Sequence, residues 1–295
     1  MKPTQFDYHR PSTLEEVFDL LENHPDAELM AGNQSLGIVM ANRLATPEHL
    51  IDLGDVDELE YVRQEDDAVR IGSMVTHRAI ERSELLAETV PMLPRSAEQI
   101  AGPSVRSRGT LGGSLAEADP AGNYPTALLA LDATIHLRSA AEDRSVSAEE
   151  FYIAYMFTEL REEEVIESVT VPLDLFPPDV SGMAFEELKP AAQTWPTISA
   201  AAAVRVDDPE AEEPIIEAVR LVLANAADVP LRVEDAEAEL EGEPLSEAGL
   251  DAAADIVVEA VDPTGEMHAD RDYKVETAGE YAKRSLEIAY GNAVE

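Results

Sequence analysis

The chain has 295 residues, 45% of them hydrophobic, with 61 acidic against 21 basic residues and a formal net charge of −40 at pH 7. Such length and apolar content suit a globular protein with two real cores and exclude a disordered chain. The charge excludes nucleic acid as the main partner, because phosphate backbones need a basic surface, and predicts an acidic coat of the halophilic kind.

There are no cysteines, so the chain can hold no disulfide, thiolate zinc site or cysteine-ligated iron–sulfur cluster. The cations are almost all arginines; the lysines are Lys2, Lys189, Lys274 and Lys283. The first residues lack the apolar core of a signal peptide, and no run of about 18 apolar residues could span a membrane. The expected location is the cytoplasm.

In chain order, Ser12-Thr13-Leu14-Glu15 reads as a capping box with Ser12 as N-cap and Glu15 as its partner. Leu14, Val17, Phe18, Leu20 and Leu21 give the apolar face of a helix ending near Asn23-His24-Pro25. A strand at 28–30 leads into a small polar loop, Ala31-Gly32-Asn33-Gln34-Ser35-Leu36. A further strand runs over 49–53 and ends at Gly54. Leu59 to Gly72 reads as a hairpin turning at 64–67. Helical patterns follow at 76–86 and 94–101.

Next comes Thr110-Leu111-Gly112-Gly113-Ser114-Leu115-Ala116-Glu117-Ala118-Asp119-Pro120, the densest cluster of chemistry in the chain. Adjacent glycines permit positive φ and close approach of a ligand. Their bare N–H groups, between Thr110 and Ser114, suit a phosphate or pyrophosphate. Two such loops in one domain point to a cradle for one phosphorylated cofactor; the alternative is two ordinary glycine turns.

A helix at 124–131, a strand at 134–138 and a strand at 163–172 complete the first half. Pro172-Leu173-Asp174-Leu175-Phe176-Pro177-Pro178 resists helix and ladder alike and marks the expected domain boundary. Beyond it, strands are expected at 183–188, 197–206 and 216–223, and acidic helices at 233–240, 248–261 and 276–290. No internal repeat is visible. The histidines, His9, His24, His49, His77, His136 and His268, show no metal-ligand spacing and read as structural. No nucleophile elbow or zinc-protease pair is present, so no catalytic side chain is assigned. Phe151, Tyr152, Tyr155 and Phe157 read as core or subunit interface.

These segments resemble the FAD-binding subunit of molybdenum hydroxylases: the medium chains of carbon monoxide dehydrogenase and the flavin subunits of xanthine dehydrogenase-type enzymes. The first loop is similar to Ala-Gly-Gly-x-Ser-Leu. Residues 104–120 follow Arg-x-x-Gly-Thr-Ile-Gly-Gly-Asn-x-Ala-x-Ala-Asp-Pro nearly throughout, with Arg106 at its head. Ala127 to Ala133, the opening Phe6-x-Tyr8-x-x-Pro11 and the C-terminal Ala282-x-x-x-Ser285-Leu286 extend the likeness along the whole chain.

The resemblance implies an α+β protein. Residues 1–175 would form a two-part FAD-binding domain of the vanillyl-alcohol oxidase type, split near 55–60. Residues 179–295 would form a smaller α+β domain with an antiparallel sheet. Ala31, Gly32, Asn33, Gln34, Ser35 and Leu36 would hold the pyrophosphate with Thr110, Leu111, Gly112, Gly113 and Ser114. Asp119 and Asn123 would contact ribityl or ribose hydroxyls. Ile166 would pack near the flavin or belong to the core, and Trp195 would stack on the ring or anchor a domain interface.

Three positions depart from the family pattern: Asn33 for glycine, Ser114 for asparagine and Asn123 for aspartate. Asn33 tolerates the left-handed region. Asn123 forfeits a charge-assisted bond worth about 1 kcal/mol, which implies weaker flavin affinity. The basic pair common after the second domain's first strand is reduced to Lys189-Pro190.

The implied activity is electron transfer. A small iron–sulfur partner would deliver electrons from a large molybdenum partner, in a dimer of heterotrimers. A self-sufficient FAD oxidase or dehydrogenase of the same fold, and a scaffold that has lost its flavin, stay open alongside it.

Overall fold

The computed structural model describes residues 2–295. It opens with a three-stranded parallel sheet in which β1 (Asp7–His9) and β2 (Glu28–Met30) flank β3 (His49–Asp52). Helix α1 (Leu14–Asn23) lays Leu14, Val17, Phe18 and Leu21 onto Ile51, Leu53, Val56 and Leu59. Its cap sits one residue later than the sequence suggests: the Thr13 hydroxyl accepts from Glu16 N–H, and the Glu16 carboxylate accepts from Ser12 N–H at 2.7 Å. The cap is thus Thr13, with Glu16 reaching back past it to Ser12.

An antiparallel five-stranded sheet follows, built from β4 (Val62–Glu65), β5 (Ala68–Gly72), β6 (Thr134–Arg138), β7 (Asp143–Ser147) and β10 (Val165–Pro172), in the order β4-β5-β10-β6-β7. A small hairpin, β8 (Tyr152–Ala154) with β9 (Phe157–Thr158), stands beside it. The helices between β5 and β6 cover one face. The helix expected over 76–86 is two helices, His77–Glu81 and Glu84–Thr89. Ser83 starts the second one by accepting from Leu86 N–H, and a capping hydroxyl in mid-pattern competes with helix continuation.

The last part is a four-stranded antiparallel sheet, β11 (Ser181–Leu188), β12 (Ile198–Val206), β13 (Ile216–Ala224) and β14 (Leu231–Arg232). It packs under helices Glu247–Ala260 and Arg271–Ala293. The four alanines of β12 explain how this part joins the first. Ala200 and Ala202 face the C-terminal helices, while Ala201 and Ala203 join the core that contains helix Asn123–Ala130. Alternating side chains bury both faces of one strand, and methyl groups keep both layers close.

Candidate cofactor site

The first loop leaves β2 at Met30, beside the end of β3 at Asp52. Asn33 sits at φ +57°, the left-handed conformation that asparagine tolerates. The Gln34 side-chain amide donates to Gly32 O at 2.8 Å and holds the turn. Among the described residues, the backbone N–H groups of Gly32, Asn33, Gln34 and Ser35 have no protein acceptor. A left-handed residue flanked by free N–H groups makes an anion-binding concavity.

The second loop differs from the sequence expectation. Neither Gly112 nor Gly113 has positive φ; Gly242 is the only glycine that does among the described residues. Residues Leu111–Glu117 are helical, and Thr110 caps them by accepting from Gly113 N–H at 3.1 Å. Leu111 N–H donates to Val75 O, Gly112 N–H to Ser73 O and Ser114 N–H to Thr110 O. The donors expected to be bare are spent inside the fold. The two glycines serve close packing instead: a Cβ on Gly112 would lie 2.6 Å from Ser73 Cβ, and one on Gly113 would touch Ala31 Cβ at 3.6 Å.

The two loops meet directly. A Cβ on Gly32 would overlap Arg108 O and lie 2.6 Å from Gly109 Cα. Between them runs an open cleft of about 270 Å³, lined by Ala31, Gly32, Asn33, Ser107, Arg108 and Thr110 on one side. Asp52, Asp57 and Glu60 line the rest with Thr76 and Leu53. Enclosed sites for drug-sized ligands run to roughly 300–1,000 Å³, so this cleft takes part of a dinucleotide and leaves the remainder on an open face. Arg108 is exposed and makes no ion pair among the described residues. It was not singled out in the sequence; its signal is an arginine placed directly before the glycine that meets the first loop.

Other expected residues lie elsewhere. Gln34, Ser35 and Leu36 continue from the cleft wall into helix Leu36–Ala41. On the second loop, burial pushes the Glu117 carboxyl up, with a smaller push from Asp119. The Asp119 carboxylate closes its own turn on Ala121 N–H at 2.9 Å, and burial raises its pKa. Asn123 is buried and donates to Ser96 O at 2.9 Å, so its amide supports the helix start instead of facing the cleft. Ile166 is a core residue of β10, next to a register shift. Trp195 is 56% exposed in the loop between β11 and β12. Lys189 pairs with Glu187 at 2.6 Å and donates to Gln99 O. Asn225, missed in the sequence, ties the domains at this end: its N–H reaches Pro120 O at 2.7 Å and its amide reaches Pro196 O at 3.0 Å.

The residues present fit a flavin dinucleotide: a cradle that a Cβ would fill, free main-chain donors, a free guanidinium and carboxylates for hydroxyl groups. The family comparisons agree. The model described as "FAD binding domain in molybdopterin dehydrogenase" matches residues 4–174, and "CO dehydrogenase flavoprotein C-terminal domain" matches residues 183–289. The carbon monoxide dehydrogenase medium chain of Hydrogenophaga pseudoflava is 33% identical over 98% of this chain and 99% of its own. The nicotine 6-hydroxylase medium subunit of Paenarthrobacter nicotinovorans is 32% identical over 97% of this chain and 98% of its own. Among solved structures, carbon monoxide dehydrogenase from Hydrogenophaga pseudoflava superposes with a TM-score of 0.93 at 35% identity, covering 99% of each chain. Quinoline 2-oxidoreductase from Pseudomonas putida 86 gives the same TM-score at 32% identity, covering 100% of both chains. The chain therefore belongs to the family of FAD-binding medium subunits of molybdenum hydroxylases, which includes the carbon monoxide dehydrogenase medium chains.

Proposed function

We propose that the chain holds FAD in the cleft between its two loops and passes electrons from partner iron–sulfur clusters to an external acceptor. The observation that carries this reading is the pair of free N–H groups at Gly32 and Asn33, in one cleft with the unpaired Arg108 and continued along the chain by those of Gln34 and Ser35. FAD supplies the redox chemistry, and the protein supplies binding, orientation and potential.

Ala31, Gly32, Asn33, Gln34, Ser35 and Leu36 would cradle the pyrophosphate through main-chain donors, with Arg108 balancing its charge. Thr110, Leu111, Gly112, Gly113 and Ser114 would form the facing wall. Asp119 would hold the adjoining turn against the cofactor's hydroxyl groups, and Asn123 would fix the helix that follows. Ile166 would support the ring from the core strand, and Trp195 would cover it. No acid, base or nucleophile is assigned to this chain.

With no cysteine, the chain leaves the clusters to a small iron–sulfur subunit and the substrate chemistry to a large molybdenum subunit. The apolar hairpin tip, with Ile153, Tyr155, Met156 and Phe157 all at least 44% exposed, is a face for such a partner. The assembly would be a dimer of heterotrimers in the cytoplasm of a salt-adapted cell.

The test is FAD uptake by the full chain in molar salt, read by visible absorption and by quenching of flavin fluorescence, beside Arg108→Ala. The wild type should bind one flavin, and the variant should bind it at least about tenfold more weakly. A folded wild type that takes up no flavin, alone or with its partner subunits, overturns the reading.

A further inference from the structure

We propose that His9, His24 and His49 form a site for one divalent transition-metal ion of the zinc class, with the fourth position left to water or Asp7.

The three imidazoles come from three elements. His9 ends β1, His24 caps the C-terminus of α1, and His49 opens β3. The parallel register sets Asp7 opposite His49 and His9 opposite Ile51. Side chains alternate along a strand, so His9, His49 and Ile51 share one face of the sheet, the face that α1 covers. His24, at the end of that helix, drops onto the same edge.

One ligand nitrogen from each ring can be chosen so that all three lie within 4.8 Å of one another. His9 Nε2 and His49 Nδ1 are 3.1 Å apart, and the ring centroids of His24 and His49 are 3.8 Å apart. A tetrahedral zinc ion with bonds of about 2.0–2.1 Å needs ligand nitrogens about 3.3 Å apart. One edge is already that short; His24 stacks on His49, so it must turn out of that stack to bring a nitrogen onto the ion. All three residues are half-buried, which limits competition from water.

Among the described residues, the rings hydrogen-bond only one another, through His9 Nε2 and His49 Nδ1. None of them hydrogen-bonds a carboxylate or a backbone carbonyl there; the nearest acid is Asp7, with Oδ2 at 4.0 Å from His49 Nδ1. In a chain this acidic, three imidazoles have gathered around one another instead of around carboxylates. Neutral imidazole is the form that binds metal. Imidazoles select zinc, copper or nickel, while the surface carboxylates suit magnesium, calcium or manganese.

The site lies at the start of β3, and the cleft lies at its end, at Asp52. A bound ion would therefore pin three short elements of the N-terminal sheet and take no part in electron transfer.

The experiment uses the full chain without a histidine tag, stripped with chelator and titrated with Co²⁺ in high salt. Tetrahedral imidazole ligation gives intense visible absorption, whereas Co²⁺ on surface carboxylates stays octahedral and weakly coloured. We expect one intensely absorbing ion per chain, displaced by Zn²⁺, and a melting temperature raised by Zn²⁺. Affinity should fall at least about tenfold in His24→Ala and be unchanged in His268→Ala. His9→Gln gives the same readout if His24→Ala does not fold. Only weak octahedral absorption, or equal intense absorption in folded His24→Ala and His9→Gln variants, overturns the proposal.

Discussion

The main chain at Gly32 lies so close to the carbonyl of Arg108 that a single methyl group at residue 32 would overlap it. The obstacle is backbone on both sides, with Gly109 Cα 2.6 Å away, so no side chain can swing aside. Gly32→Ala must separate the two loops. Flavin affinity should fall at least about tenfold, or 1.4 kcal/mol, and folding stability by about 1–3 kcal/mol. Fluorescence titration and a denaturant melt measure the two; unchanged affinity in the variant would remove this contact from the site.

A second prediction concerns a buried ion pair. Glu164 is 1% exposed, and Arg144 grips it through Nε at 2.6 Å and Nη2 at 2.9 Å. Burial pushes the Glu164 carboxyl up, but the Arg144 guanidinium and the Arg161 N–H outweigh it and hold the pKa below the usual range. Arg144→Met strands that carboxylate in the interior and should cost about 3–5 kcal/mol at neutral pH. Chemical denaturation of the single variant and of Arg144→Met/Glu164→Leu decides the matter: the double variant should recover most of the loss. A depressed pKa gives stability present above the unfolded carboxyl range and lost as pH falls through the folded value. The wild type should lose this contribution only in acid.

Strands β2 and β6 were legible to the residue: β6 alternates Ile135 and Leu137 with polar neighbours, and β2 carries Leu29 and Met30 straight into a turn. The left-handed Asn33 was legible as well, since few residues tolerate that backbone. The donor pattern of the diglycine segment was not. The N–H groups of Leu111 and Gly112 are satisfied by Val75 and Ser73, which reach them from a distant part of the chain, and no local pattern reports that. The same limit hid Arg108 facing the first loop and the gathering of His9, His24 and His49. Asn123 looked like a ligand residue because its neighbours match a motif, yet Ser96 O claims its amide.

The net charge of −40 predicts a strong salt dependence. Only 21 cations are present to balance 61 acids, so most carboxylates repel one another across the surface. Screening shortens that repulsion from a Debye length of about 10 Å in 0.1 M salt to about 3 Å in 1 M salt. Thermal melts in KCl should show the melting temperature rising steeply from ~0.1 M to ~1 M and more slowly beyond it. A melting temperature that is flat across this range would rule out carboxylate repulsion as a main destabilising term.

His77 should link acid stability to the second loop. Its main-chain N–H donates to Gly109 O at 2.9 Å, its ring centroid lies 5.3 Å from that of Tyr124, and its Nδ1 has no hydrogen-bond partner among the described residues. Burial, helped by the nearby Arg106 guanidinium, lowers its pKa from 6.5 to about 4. The folded state therefore holds the ring neutral where the unfolded chain would protonate it. Stability from this group is fully present above pH 6.5 and is lost as pH falls towards 4. The loss amounts to about 3 kcal/mol at 1.36 kcal/mol per pKa unit. Denaturant melts at fixed high salt, where surface carboxylates are screened, should show that slope in the wild type and lose most of it in His77→Asn. The His77 ring packs so closely against Gly109 that a Cβ there would overlap it, so charging the buried ring should loosen the loop at Arg108. Flavin should then leave the wild type over the same pH interval, and equal acid slopes in the two proteins would show that His77 is not held neutral by its burial.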